Sequence, residues 1–375
     1  MKVLSRSALV AALVLATLLP AAARKKSRSH KATPSPSPDA AQIEAATRLQ
    51  IFLDRANFSP GALDGTYNDL TLKALALYSQ SRGEESSPSA TPSPSHSPPA
   101  KSNAPPDTSG LDLDSFGSAF TTYTVTDADL QSTGTLPGSV AAQAKLKSLP
   151  YRDAAEAIAE KFHCTVHFLE QLNAGKTKTI KAGDQLKVPN VEPFELAAVK
   201  DLKPGSEIES LAANDMPDDP NSSDNQSSSA PKETLNNSQK AAISIKVDIQ
   251  GNVLEVFDTD KLVAAYPVTI GSTQTASPIG EWKVRGIAKL PRFRYDKEML
   301  QHGQRSGNFH ILPPGPNSPV GVIWIALNKK GIGLHGTNEP ETIGHSNSHG
   351  CIRLTNWDVV RLAQKVKPGV PVSIH

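Results

Sequence analysis

The sequence predicts a multi-domain chain: a mainly-β C-terminal domain, preceded by a βααβ module and a small helical module, joined by disordered linkers. Three observations carry this. Stretches dominated by Pro and Ser, or by Asp, Asn and Ser, interrupt the chain and cannot pack a core. Between them, apolar residues recur at helical spacing. After the last, Ile243, Ile245, Val247 and Ile249 alternate strictly with polar residues, as in a half-buried strand. With 30 prolines and 38% hydrophobic residues among 375, folded material has to be concentrated in islands.

Residues 1–23 read as a signal peptide: Lys2 and Arg6, an apolar run over 8–19, then Pro20 and three alanines. The run is short for a bilayer span, with an uncleaved anchor as the alternative, so the mature protein is expected in the periplasm or cell wall with no stable membrane span after cleavage. Residues 24–40 form a Ser/Pro tether. The helical module over 41–82 has Ile43, Leu49, Phe52 and Leu53 on one face, then Leu70, Ala74, Leu75 and Leu77, around an Asp64-Gly65 turn. Residues 83–118 form a Pro/Ser-rich linker, extended and semi-rigid.

The module over 119–191 opens on the alternating stretch Phe120 to Val125. Helical patterns follow at Asp153 to Phe162 and Val166 to Leu172, and a last strand at Gln185 to Pro189. Residues 192–241 form a polar linker, and the β-rich domain fills 242–375. It begins with the alternating strand, a turn at Gln250-Gly251-Asn252 and a returning strand, and it ends with a helix after Thr355-Asn356-Trp357-Asp358, a capping-box-like start. Folded islands joined by such linkers are expected to fold alone.

Charge excludes one class of partner. Lys+Arg (39) and Asp+Glu (37) nearly cancel to a net +2, which leaves no nucleic-acid footprint. Two cysteines in an exported chain suggest a disulfide, yet Cys164 and Cys351 fall on different islands. Both are read as free thiols, with Cys164 structural and buried.

The chemistry concentrates in two short stretches, Gly333-Leu334-His335-Gly336-Thr337 and Ser348-His349-Gly350-Cys351-Ile352-Arg353-Leu354. A free thiol near pKa ~8.5 is mostly protonated at neutral pH and needs a base, which an adjacent imidazole supplies. His335 and His349 are the candidates. Gly350 leaves the approach to Cys351 open, so that backbone N–H groups can face a developing oxyanion. His335, His345, His349 and Cys351 are also of the types that bind zinc, although Gly344, Asn347 and Gly350 argue against one helical face. A small buried apolar role for Cys351 is the plainest alternative.

A His-Gly followed by a loop and then Ser-His-Gly-Cys-hydrophobic-Arg resembles the signature of the YkuD-type L,D-transpeptidases, cysteine acyltransferases that cross-link peptidoglycan. Ser277-Pro278-Ile279-Gly280 also resembles the family's Thr-Pro-x-Gly segment, with Ser in place of Thr. The resemblance implies Cys351 as nucleophile and His335 as general base, oriented by the Gly336 carbonyl. It implies His349, Gly350 and the Cys351 amide around the oxyanion, with Ser348 and Gly350 binding substrate. Arg353 would meet a carboxylate of the stem peptide, which a planar fork suits. No metal or cofactor is implied, and a monomer is expected. The rival functions are an L,D-carboxypeptidase using water and a non-catalytic wall-binding protein.

The two N-terminal modules carry weaker resemblances. Leu49-Gln50, Pro60-Gly61, Asp64-Gly65 and Thr71 with Ala74 resemble a small helical peptidoglycan-binding repeat, with Tyr78-Ser79 where Phe-Gln is expected. The strand, helix, helix, strand order with Leu172-Asn173 and Ile180 to Asp184 resembles a LysM module, which implies binding to glycan strands. The stretch from Asp127 to Pro150 is unusually long for it.

Overall fold

The computed structural model describes residues 40–83, 105–202, 243–271, 276–302, 306–344 and 350–375. The signal peptide, the tether and most of both linkers lie outside these residues.

Two helices open the described chain, α1 (Ala40–Arg55) and α2 (Asp69–Ser81). Gln50 explains why they meet at an Asp-Gly turn. Fully buried in α1, it donates to Asp64 Oδ1 at 2.8 Å and accepts from the Gly65 N–H at 3.1 Å. Asn68 caps α2 by accepting from the Thr71 N–H at 2.8 Å.

The next island runs β1 (Phe120–Thr124), α3 (Asp127–Gln131), α4 (Val140–Gln143), α5 (Ala154–Lys161), α6 (Val166–Leu172) and β2 (Gln185–Pro189). Its strands pair antiparallel, from Phe120 opposite Pro189 to Thr124 opposite Gln185. The long stretch after β1 forms α3, closed by a reciprocal Thr126/Asp129 capping box, and then α4. Asn173 joins α6 to β2, donating to the Lys187 carbonyl at 2.8 Å and accepting its N–H at 2.7 Å.

The C-terminal domain contains β3 (Ile243–Asp248), β4 (Val253–Asp258), β5 (Lys261–Pro267), β6 (Gly280–Lys289), β7 (Phe293–Asp296), α7 (Lys297–His302), β8 (Phe309–Leu312), β9 (Ile323–Leu327), β10 (Gly333–His335), β11 (Ile352–Arg353), α8 (Asn356–Lys365) and β12 (Pro371–Ile374). Its eight-stranded sheet has the order β11-β10-β9-β6-β12-β3-β4-β5, and β7 pairs with β8 separately. The pairs β3/β12 and β10/β11 are parallel and the rest antiparallel. One face holds the main core, where Ile245, Val247, Ile325 and Leu334 pack with Trp357, Leu362 and Val366.

The islands that the sequence separates pack on one another. The described residues belong to one compact unit. The loop after α1 makes a single parallel bridge to β5: the Ala265 N–H donates to the Asn57 carbonyl at 2.9 Å, and the Ser59 N–H donates to the Ala265 carbonyl at 2.8 Å. An open sheet edge is an aggregation hazard, and here the bridge caps it at Ala265. Leu49, Leu53, Phe58 and Ala74 share one apolar cluster with Val253, Leu262 and Ala265 of the sheet. Ile51 and Leu63 pack into the core of the second island.

A buried ionic cluster completes the junction. Arg361 of α8 makes a bidentate pair with Asp54 of α1, both bonds at 2.8 Å, and His163 Nδ1 lies 3.2 Å from Asp54 Oδ2. Ser59 donates to Asp358 Oδ2 at 2.7 Å, and His163 stacks on Trp357 with centroids 5.0 Å apart. Burial alone would raise the Asp54 carboxyl, but Arg361 and His163 outweigh it and hold it far below the usual range. The described ends of both linkers pack as well. Leu111 and Leu113 join the helical cluster, and Phe194 and Val199 are buried in the main core. Linker composition reports that a segment buries little itself; it carries no information on whether the islands at its two ends dock.

Candidate active site

Strand alternation sets the site. Successive side chains point to opposite faces, so Ile323, Ile325, Leu334 and Ile352 enter the main core. Trp324, Ala326 and Cys351 gather on the other face with Ala288 and Val320. Register then aligns the polar groups: His335 pairs with Arg353 across the parallel β10/β11 ladder and with Trp324 across β9. His335, Arg353 and Cys351 therefore share one face at the end of the sheet, with Trp324 on the neighbouring strand β9. The indole stacks on the His335 ring, centroids 5.1 Å apart and planes 12° apart.

His335 is buried, with 3% of its surface exposed. Its Nδ1 lies 2.7 Å from the Gly336 carbonyl oxygen. A carbonyl can only accept, so the proton of the neutral ring sits on Nδ1 and Nε2 keeps its lone pair. Burial pushes the ring down to about 3, with the Arg353 charge adding to that and the Gly336 bond opposing it.

Cys351 is half-buried, and its thiol approaches the Gly331 carbonyl at 3.5 Å. Gly350 before it has φ +108°, a left-handed conformation that a side chain would strain, which accounts for glycine at this position. Burial pushes the thiol up to about 11, against a backbone bond from Gly333 and the Arg353 charge. Desolvation disfavours both charged forms, and thiol and imidazole rest neutral together.

Arg353 is half-buried, its Nε without a hydrogen-bond partner among the described residues. Guanidinium stays charged in proteins, so an anion would complete it. A bridge to Thr269 fixes its backbone: the Thr269 N–H donates to the Arg353 carbonyl at 3.0 Å and the Arg353 N–H to the Thr269 carbonyl at 2.9 Å. Ser348, His349 and His345 lie outside the described residues. Cys164 is free and buried, its thiol held well above the usual range by desolvation. Among the described residues no group of three metal-ligating side chains gathers, and no helix is long and apolar enough to cross a membrane.

Sequence reasoning missed Trp324, Thr269 and Asn356. Trp324 stands in a run of strand residues whose period gives two faces without saying which is the site. In the sequence Asn356 reads as part of a helix cap. Its Oδ1 in fact accepts from the Val322 N–H at 3.1 Å, and its Nδ2 donates to Glu160 Oε1 at 2.7 Å.

Residues 242–374 match the family model of the YkuD L,D-transpeptidase catalytic domain. YkuD of Bacillus licheniformis is 35% identical over 130 residues, which are 35% of this chain and 64% of that protein. YqjB of Bacillus subtilis is 34% identical over 133 residues, 34% of this chain and 68% of that protein. Of the relatives named, the chain thus spans about two thirds of the length. The solved complex of the LD transpeptidase LdtMt1 with imipenem aligns over 36% of this chain and 59% of that one, at 18% identity and a TM-score of 0.30.

Proposed function

Because the chain belongs to the YkuD L,D-transpeptidase family through residues 242–374, we propose that it cross-links peptidoglycan outside the cytoplasm through an acyl-enzyme on Cys351. The observation that carries this reading is His335. Its Nδ1 is engaged by its own neighbour's carbonyl at 2.7 Å, which leaves Nε2 as the acceptor on the face that holds the thiol.

The thiol proton moves to His335 Nε2 as Sγ attacks the carbonyl between the third residue and the terminal D-alanine of a tetrapeptide stem. Two neutral groups suit this coupling, because charge appears only as the bond forms. The Cys351 amide, with Gly350 and His349, faces the oxyanion. Collapse expels D-alanine, whose amine takes the proton back from His335. The resulting thioester is attacked by the side-chain amine of a second stem, which loses its proton to His335 and then returns Cys351 as a thiol. Arg353 pairs with a stem carboxylate, and the family resemblance assigns Ser348 to substrate binding.

Mass spectrometry of the products from a disaccharide tetrapeptide tests the reading. A 3–3 cross-linked dimer with free D-alanine is expected. Tripeptide alone would make the protein an L,D-carboxypeptidase, and unchanged substrate would leave a wall-binding protein.

A further inference from the structure

Glu160 is a buried carboxyl that the reaction does not use. It lies on α5, in the second island, with 6% of its surface exposed, yet it reaches into the C-terminal domain. Its Oε1 accepts from Asn356 Nδ2 at 2.7 Å, and Asn356 Oδ1 accepts from the Val322 N–H at 3.1 Å. The Asn356 amide also lies hard against the chain that follows His335. A Cβ added at Gly336 would stand 2.1 Å from Asn356 Oδ1, and one added at Gly321 would stand equally close. Gly336 is the residue whose carbonyl holds the His335 ring.

We propose that Glu160 and Asn356 form a positioning pair, through which the docked N-terminal island fixes the Gly336 carbonyl and hence the His335 imidazole. The proposal rests on the transpeptidase reading for its catalytic consequence, and on geometry alone for the link to His335. Three contacts make the chain continuous: carboxyl to amide, amide to the 321–322 and 336 backbone, carbonyl to imidazole. The amide has few alternatives, because its only other acceptor among the described residues is the Pro316 carbonyl at 3.4 Å. Neutral Glu160 serves this role. Burial pushes its carboxyl up to about 8, opposed by the Asn356 bond and reinforced by Glu156, so the acceptor oxygen is present without a charge at neutral pH.

Glu160→Gln keeps that acceptor and Glu160→Leu removes it. The test reads Cys351 directly in the full chain, as the rate of its alkylation by iodoacetamide across pH 5–10, followed on the Cys351 peptide and normalised to the folded fraction by circular dichroism. Glu160→Leu should slow alkylation at pH 7 at least tenfold and lower kcat with little change in KM, while Glu160→Gln stays within twofold of the parent. A merely structural role would lower the folded fraction and leave the rate per folded molecule unchanged, which would overturn the proposal. So would an equal loss in both variants. Asn356→Ala, which keeps Glu160, should repeat the slow phenotype and serves where Glu160→Leu does not fold. A parent that forms no acyl-transfer product, but whose variants show this alkylation pattern, refutes the transpeptidase reading and leaves the positioning pair standing.

Discussion

Replacing Asp54 by Ala should damage the whole chain, although Asp54 lies in the first helix and far from Cys351 in sequence. The side chain is fully buried and takes two 2.8 Å bonds from Arg361 and a 3.2 Å contact from His163. Its removal strands a buried guanidinium, and breaking a buried pair in this way costs about 3–5 kcal/mol. Asp358 lies 3.6 Å from Arg361 and would take over part of the charge, which favours the low end. At roughly 2–4 °C per kcal/mol for a folded body of this size, about 3 kcal/mol lowers Tm by ~6–12 °C. Calorimetry at pH 7 reads the loss, and the double variant Asp54→Ala/Arg361→Met should recover part of it, since the stranded guanidinium is gone. A Tm within 2 °C of the parent, or additive losses in the double variant, would refute the packing described at α8.

Three further outcomes follow from the same structure. A truncated chain beginning at residue 240 should be poorly soluble and lose most activity, because it uncovers the β5 edge and the apolar Val253, Leu262 and Ala265; full activity in soluble, monodisperse form would contradict this. Stability should be greatest in mildly acidic solution. The depressed Asp54 carboxyl contributes fully above about pH 4 and loses its contribution below, whereas Glu160, raised to about 8, and Asp358, raised to about 7, ionise more easily when unfolded, an effect that the depressed His335 ring offsets only up to about pH 6.5, so stability falls as pH rises from about 6.5 to 8. Thermal melts from pH 3 to 9 read the profile, and Glu160→Gln should flatten its alkaline limb. Gly336→Ala should cost about 1–3 kcal/mol by overpacking against Asn356 and reduce acyl transfer at least a hundredfold; parental kinetics would show that the Gly336 carbonyl does not set the His335 ring.

The alternation from Ile243 to Ile249 and the cap at Thr355 were read correctly from local pattern, because strand period and capping are decided by neighbours in the chain. Thr355 accepts from the Asp358 N–H at 3.2 Å, as the capping pattern implied. His335 and Cys351 stood out because their types and order are chemically unusual. What local pattern could not supply was pairing. Trp324 meets His335 only through the β9/β10 register, and Glu160 meets Asn356 across 196 positions of sequence. The docking of the islands escaped for the same reason. Asp54, Ser59 and His163 look like surface residues until Arg361, Asp358 and Trp357 cover them, and polar side chains buried by mutual pairing leave no apolar stripe to read.

The central claim is that Cys351 carries the acyl group with His335 as its base. Mass spectrometry of the full chain mixed with a disaccharide tetrapeptide, followed by peptide mapping, tests it most directly. The account predicts an adduct on the Cys351 peptide equal to the substrate less D-alanine, absent from Cys351→Ala and formed about a thousandfold more slowly in His335→Ala. D-alanine release by Cys351→Ala, or an adduct on any other residue, would contradict it.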